Sequence, residues 1–239
     1  ESLGLVDRWI LSRLVQVNRD SSERYASYRL GEAAKGLYEF AWNDFCDWYL
    51  ELIKRRLNTG GKTSQAEIQD QQKARQVLAK VLHDLLVMLH PLMPHLTEEL
   101  WHGLTGFSEE KLLALQPWPE LQEESLDEDL EESFSDLIDA VRVVRNLRAV
   151  AGLKPSQMVP VRFVTSREDL AYVLKQAKED IQSLTRANNI TILNPVEAEV
   201  TPANKALAGV TGELQVLLPI EGFVDLDALR ARLEKDVVK

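Results

Sequence analysis

Residues 28–57 read YRLGEAAKGLYEFAWNDFCDWYLELIKRRL, and this stretch decides the fold class. Its apolar side chains recur at steps of three and four, the spacing of one face of an α-helix: Leu30, Ala34, Leu37, Ala41, Phe45, Trp48 and Leu52. Polar side chains fill the opposite face: Glu32, Lys35, Glu39, Asn43, Asp47 and Glu51. Thirty residues at a rise of about 1.5 Å extend about 45 Å. The pattern predicts one long amphipathic helix that holds Cys46 as a buried thiol.

Patterns of the same period predict further helices on both sides of the long one. The first covers 6–17, and a later one covers 77–92. Pro91 and Pro94 break the later helix, because proline lacks an amide proton and clashes with the preceding turn. A short helix follows this break, and a last one carries apolar residues over 134–151. Together these segments predict a mainly α protein built on an antiparallel bundle of five helices.

Beyond this bundle the apolar period changes from 3.6 to 2, which indicates β-strands. Strands are predicted over 158–165 and 189–193. A helix over 170–184 lies between them, and Ser166 with Asp169 three residues later is typical of its N-terminal cap. A small α+β domain therefore follows the bundle.

The remaining sequence predicts a hairpin and one more helix. The hairpin covers 205–218 and turns near Gly209 and Gly212. A charged helix with a heptad-like row of leucines covers 225–239. The predicted parts are a helical bundle, a small α+β domain and the start of a coiled-coil arm: 1–154, 155–222 and 223–239.

Charge and composition narrow the possible functions without deciding them. The net charge of −10 argues against a polyanionic partner at first, but residues 120–136 hold nine acidic residues and no basic one. We call this stretch the acidic segment; the rest of the chain is close to neutral and can carry a local basic surface. One cysteine, no apolar run of about 20 residues and no leader predict a cytoplasmic protein without a membrane span or disulfides. His90 and His95 flank a helix break, so we expect no metal site there.

Two groups of cations are the positive signals. Arg142, Arg145 and Arg148 recur every three residues on the last helix of the bundle, and Lys154 follows them. A second group lies where the long helix ends and the next helix begins: Lys54, Arg55, Arg56, Lys62, Lys73 and Arg75. Side-by-side guanidinium groups are typical of phosphate recognition. Spacing alone leaves three interpretations open: a nucleic-acid surface, a solvated face, and pairing with the acidic segment.

Four stretches carry a resemblance to a known family. They are the long helix itself over 28–51, LHPLMPHLTEELW over 89–101, VRNLR over 144–148 and LPIEGFVDL over 218–226. In this order they resemble the anticodon-binding helical domain of class I aminoacyl-tRNA synthetases, most closely the valyl-tRNA synthetase family. The resemblance covers essentially the whole chain. Isoleucyl-type synthetases are the second candidate, and a helical protein-interaction scaffold without tRNA binding is the third.

The resemblance implies a non-catalytic piece of a larger enzyme that uses ATP and Mg²⁺ to esterify tRNA(Val) with valine. The family's His-Ile-Gly-His and Lys-Met-Ser-Lys-Ser signatures are absent, so we expect no catalytic residue and no cofactor in this piece. It implies contacts of the anticodon arm with Lys73, Ala74, Arg75 and Leu78. The cations Arg55, Arg56, Arg142, Arg145 and Arg148 complete the predicted tRNA-binding set.

The resemblance also bears on how the piece associates. A first helix of the family's domain would precede Glu1, so we expect an exposed apolar groove along the bundle. This groove offers a surface for self-association of the fragment. The whole enzyme is expected to be monomeric.

Overall fold

A computed structural model describes residues 3–58, 64–106, 111–201, 205–225 and 229–230. They form two compact units, of which the first ends at Glu131 and the second begins at Glu132. This division lies in the first turn of a long helix, whereas the sequence predicts a boundary after residue 154. The predicted boundaries of the parts, including the coiled-coil arm, stay a prediction.

The first unit is helical. Its described elements are α1 (Leu5–Ala26), α2 (Leu30–Glu39), a π-helical segment (Phe40–Tyr49), α3 (Leu50–Leu57), α4 (Gln65–Leu89) and α5 (Pro94–Thr105), with short 3₁₀ turns at Leu113–Leu115 and Glu123–Ser125. Helix α1 packs against α2, the π-helical segment and α4, and α4 also packs against α3 and α5. The predicted break at two prolines is confirmed, because α4 ends before Pro91 and Pro94 occupies the first position of α5.

The long helix has a more complex geometry than the sequence predicts. The chain is helical from α2 through α3, but the middle ten residues have π-helical hydrogen bonds, which span one residue more than those of an α-helix. The wider turns shift the buried face along the chain. The buried residues are Ala33, Leu37, Phe40, Phe45, Trp48, Tyr49, Leu52 and Ile53.

Two predictions for the buried face of the long helix are wrong. Leu30 and Cys46 are exposed, as is Trp42. Partial burial and then the Asp47 carboxylate raise the pKa of the Cys46 thiol, so this thiol stays protonated and weakly reactive although solvent reaches it. The predicted polar positions of the same helix are all exposed, as expected.

The second unit holds most of α6 (Glu128–Ala151) and a four-stranded sheet. The further elements are β1 (Val159–Thr165), α7 (Glu168–Gln176), α8 (Lys178–Thr185), β2 (Ala187–Leu193), α9 (Pro195–Val200), β3 (Ala206–Thr211) and β4 (Leu214–Pro219). The strand order is β2-β1-β4-β3, with β1 and β2 parallel and the other pairs antiparallel. The predicted class, a helical bundle followed by a small α+β part, is confirmed.

Helix α6 ends as the sequence predicts. Gly152 has a φ of +69°, a backbone conformation that glycine adopts without steric cost. Its amide donates to Ala149 O, and the amide of Leu153 donates to Arg148 O. This pair of bonds is a Schellman motif, which satisfies the last carbonyls of the helix.

Details of the second unit differ from the prediction. The predicted single helix is two, α7 and α8, separated at Ala177. Ser166 does not cap α7, whose N-cap is Arg167 without a side-chain cap bond. The hairpin turns at Gly212, but Gly209 lies within β3, where an added Cβ would stand 2.5 Å from Val143 Cγ1. Gly209 therefore allows a close approach of β3 to α6.

Most of the predicted coiled-coil start lies outside the described residues, as does Lys62. Within the part that the structure describes, no helix combines the length and apolar character that crossing a membrane requires.

Candidate nucleic-acid interface

Arg56 joins three helices of the first unit. Its guanidinium makes two bonds to the Asp7 carboxylate, at 2.9 and 2.8 Å, and a third to Asp70 Oδ2 at 2.9 Å. Asp7 is fully buried, and Tyr49 Oη donates to Asp7 Oδ1 at 3.4 Å. Burial disfavours the charge of Arg56, but its carboxylate bonds outweigh this and raise its pKa; burial and then Asp7 raise the pKa of Tyr49. Arg56 is thus held by carboxylates between α1, α3 and α4; its contact with tRNA stays a prediction.

This linkage places the other cations of the group on two neighbouring helices. Gln71 Nε2 donates to Leu57 O at 2.9 Å, a further bond between the end of α3 and the start of α4. Arg55 is exposed in the last turn of α3, and Lys73 is half-buried near the start of α4. Arg75 is exposed, and among the described residues it has no ion pair or hydrogen-bond partner for its side chain. Arg75 is therefore the most available cation of this surface.

The other two residues implied by the resemblance have different positions. Ala74 is fully buried, so its methyl group belongs to the packed interior of the unit. Leu78 is half-buried one turn further along α4. The surface of this part of α4 is formed by polar and small residues: Gln72, Arg75, Gln76 and Ala79.

The acidic segment pairs with arginines outside the predicted tRNA-binding set. In the first unit its carboxylates meet three arginines of α1 in the pairs Glu123–Arg19 at 2.7 Å, Asp127–Arg8 at 3.7 Å and Glu131–Arg13 at 2.9 Å. In the second unit Asp136 meets Arg167 at 2.6 Å. The segment thus compensates positive charges of α1 and of Arg167.

The predicted arginine row of α6 divides into exposed and buried members. Arg142 is exposed and pairs with Asp139 at 2.9 Å. Arg145 is exposed, and its Nε donates to Leu184 O at 3.3 Å. Arg148 is only 8% exposed and donates to two main-chain carbonyls of the loop after α6. The expectation of three side-by-side surface guanidinium groups is therefore wrong for Arg148, because the chain folds back over it.

Side chains of the motif over residues 89–101 form hydrogen bonds within the first unit. His90 Nδ1 lies 2.8 Å from Thr97 Oγ1 across the helix break, while His95 is exposed. Glu98 accepts the amide of Leu113 at 2.7 Å and so fixes the segment that follows α5. The described residues contain no group of three or more His, Cys, Asp or Glu side chains that could hold a metal ion.

Two exposed aromatic side chains form a further surface feature of the first unit. Tyr38 and Trp42 are 64% and 56% exposed, one helical turn apart, with ring centroids 6.4 Å apart and planes at 2°. Trp42 belongs to the π-helical segment, and Tyr38 lies in α2, two residues before that segment begins. Parallel exposed rings are a surface on which bases can stack.

The first unit is a helical domain with exposed cations and exposed aromatic rings, features typical of a nucleic-acid-binding surface. The chain belongs to the family described as the anticodon-binding domain of tRNA ligases, which matches residues 7–163. A valine–tRNA ligase of Parasynechococcus marenigrum (strain WH8102) is 68% identical over 238 residues, covering all of this chain and 26% of that relative. The valine–tRNA ligase of Synechocystis sp. (strain ATCC 27184 / PCC 6803 / Kazusa) is 45% identical, again over all of this chain and 26% of the relative. The chain thus spans about a quarter of the length of these curated relatives.

Proposed function

We propose that this chain is the tRNA-binding region of a valine–tRNA ligase and holds the anticodon arm of tRNA(Val). Family membership and relatives named valine–tRNA ligase support the proposal. The observation that carries it is the exposed Arg75 on α4, without a partner among the described residues, beside Lys73 and close in sequence to Leu78. Valine activation with ATP and Mg²⁺ would belong to the remaining three-quarters of such an enzyme.

The site is suited to binding and positioning. An anticodon presents unstacked bases and phosphates, which proteins recognise through stacking, base-edge contacts and cations. The first unit offers Arg75 and Arg55 as exposed cations, and Tyr38 with Trp42 as exposed rings. Arg56 and its two carboxylate partners hold α3 and α4 in place, so the cations have fixed positions before tRNA arrives.

The test compares two single-charge variants of α4 in the complete ligase. Arg75→Ala is expected to weaken binding of a tRNA(Val) transcript and to lower the slope of log affinity against log salt by about 1. Lys80→Ala is the matched control, because Lys80 lies on the same helix but pairs with Asp84 at 2.9 Å. Equal salt slopes for the two variants and the wild type would contradict the role of Arg75.

The alternatives give different results in the same assay. A scaffold without a tRNA role would leave the affinity of the complete ligase unchanged in every surface variant. An isoleucyl-type domain would favour a tRNA(Ile) transcript over tRNA(Val). Preference for the valine transcript, lost on exchanging its anticodon, supports the proposal.

We propose that the complete enzyme is a monomer and that the isolated fragment self-associates through an exposed apolar groove along the bundle, to which an apolar row on α5 belongs. Leu96, Leu100 and Leu104 recur every four residues there and are 53%, 49% and 57% exposed. Such a row is typical of a surface that packs against another element. A fragment that sediments as a monomer at every concentration would contradict self-association.

A further inference from the structure

Arg148 is a buried charge with an incomplete set of partners. The residue is 8% exposed, and its Nη2 donates to Gln157 O at 2.7 Å and to Lys154 O at 3.2 Å. Its Nη1 is buried and has no hydrogen-bond partner. No carboxylate of the described residues lies within ion-pair distance of this guanidinium. An ionised group in such a position is costly unless another charge compensates it.

Arg186 brings a second guanidinium to the same place. It follows α8, and its carbonyl accepts the amide of Val159 at 3.4 Å, so it sits beside the loop that binds Arg148. Burial and then the charge of Arg186 lower the pKa of Arg148. Arg186 is exposed, and within the described ranges its side chain has neither a hydrogen bond nor an ion pair. Lys154, on the same loop, is a third exposed cation.

The backbone at Arg186 is unusual for this residue type. Its φ of +55° and ψ of +40° are left-handed, a conformation that glycine adopts at helix ends without the steric cost of a Cβ. The ends of α6 and α8 supply partial negative charge to nearby cations, about half a charge each at most. The acids of α8 are in its first turn, about 9 Å along the axis from Arg186. The two acids of α8 therefore lie at the opposite end of this helix from Arg186.

We infer that Arg186, Lys154 and the buried Arg148 form a binding site for a backbone phosphate of the bound tRNA, in the second unit of the chain. Arg186 and Lys154 reach solvent and would contact the phosphate oxygens, since guanidinium groups match phosphate geometry. Arg148 is buried, so it would act through its charge. The inference rests on the proposed function, and it adds a contact that does not depend on the anticodon-facing helix α4.

The test compares two variants of the complete ligase, in each of which one cationic residue is replaced by glycine. Arg186→Gly removes the exposed charge of the site and places glycine where the backbone favours it. Lys205→Gly is the matched control, because Lys205 also has a positive φ of 50° and lies in the same unit, but pairs with Glu221 at 2.9 Å. Both variants lose one positive charge, so their long-range effects on a polyanion are alike.

Arg186→Gly is expected to weaken binding of a tRNA(Val) transcript about threefold to tenfold at low salt and to lower the salt slope by about 1. Its melting temperature should stay equal or rise, because glycine relieves the left-handed backbone. Lys205→Gly should bind tRNA within about twofold of the wild type. Equal tRNA affinities for the two variants would overturn the inference, as would a lower melting temperature of Arg186→Gly with unchanged affinity.

Two further results test the phosphate site and the proposed function separately. If the wild type binds tRNA and responds to Arg75→Ala but not to Arg186→Gly, the proposed function stands and the phosphate site fails. If the wild type does not bind tRNA, the proposed function itself fails. Stabilisation of the wild type but not of Arg186→Gly by orthophosphate alone, with equal tRNA affinities, would indicate a free-anion site and overturn the polynucleotide assignment.

Discussion

Two arginines, one in each compact unit, show opposite ways of burying a positive charge. Arg56 in the first unit makes bonds to two carboxylates, and its pKa is raised. Arg148 in the second unit makes bonds only to main-chain carbonyls, and its pKa is lowered. Both belong to short cationic runs of the sequence that predict the same role.

The difference shows that a run of cations is informative only when its partners are known. Around Arg56 the protein supplies its own counter-charges, Asp7 and Asp70, so the guanidinium stabilises the packing of helices. Around Arg148 the described residues supply none, and a second cation, Arg186, lies nearby. A buried ion pair fixes helix positions, whereas an uncompensated cation attracts an anion from outside.

The largest loss of stability is expected for Arg56→Met. The substitution leaves the Asp7 carboxylate buried without its cationic partner, so we expect the free energy of unfolding to fall by about 3–5 kcal/mol. Urea unfolding of the chain, followed by circular dichroism, measures the change. Arg55→Met is the control, because Arg55 lies one position earlier on α3 but is exposed, and we expect a change within about 0.5 kcal/mol.

A double variant sharpens this prediction. Asp7→Asn combined with Arg56→Met removes both charges, so no buried carboxylate remains unpaired. We expect the double variant to recover a substantial part of the stability that Arg56→Met loses. A double variant less stable than both single variants would show that the pair does not act as a unit.

A smaller loss of stability is expected for Arg148→Met. The variant loses two charge-assisted hydrogen bonds to Lys154 O and Gln157 O, each of which contributes about 1.5–3 kcal/mol. It also removes a buried charge without a carboxylate partner, which offsets much of this loss. We therefore expect a net loss of about 1–2 kcal/mol in the same urea assay. A loss as large as that of Arg56→Met would contradict the contrast between the two arginines.

The breaks between helices could be predicted where strong local signals mark them, whereas α1 extends nine residues beyond the predicted 6–17 and α4 begins twelve residues before the predicted 77–92. The prolines at 91 and 94 end one helix and begin another, and Gly152 ends α6 through a left-handed backbone that glycine favours. The change of apolar period after the bundle correctly separates helices from strands. These features depend on residues close together in the chain.

Features that depend on distant residues could not be predicted. The π-helical segment shifts the buried face of the long helix, and Cys46 is exposed where the sequence predicts a buried thiol. The burial of Arg148 depends on the loop that folds over it, and Arg186 enters the candidate site only because β1 pairs beside it. In the sequence, Arg186 is an isolated cation, and no spacing rule connects it with Arg148.

The smallest effect on stability is expected for the ion pair between Arg167 and Asp169. Arg167 lies in the same unit as Arg148 but has several carboxylate partners. Arg167 pairs with Asp136 at 2.6 Å and with Asp169. Hydrogen bonding to Arg167 lowers the pKa of Asp169 to about 2. A carboxylate with a lowered pKa stabilises the fold above its unfolded pKa of about 3.9, and this contribution disappears as the pH falls through about 2. Asp169 is half exposed, so solvent screening keeps the contribution below about 1 kcal/mol.

Asp169→Asn should therefore lower the melting temperature by a small amount that does not change with pH above about pH 5. This difference in melting temperature between the variant and the wild type should shrink between about pH 4 and pH 2. Thermal unfolding across this range measures it. In the Arg167→Ala background the same substitution should have a weaker pH dependence, because the guanidinium that lowers the pKa of Asp169 is gone. An unchanged pH dependence there would assign the effect to Ser133, which also donates to Asp169 at 3.0 Å, and would remove Arg167 from the set of arginines whose charge the protein itself compensates.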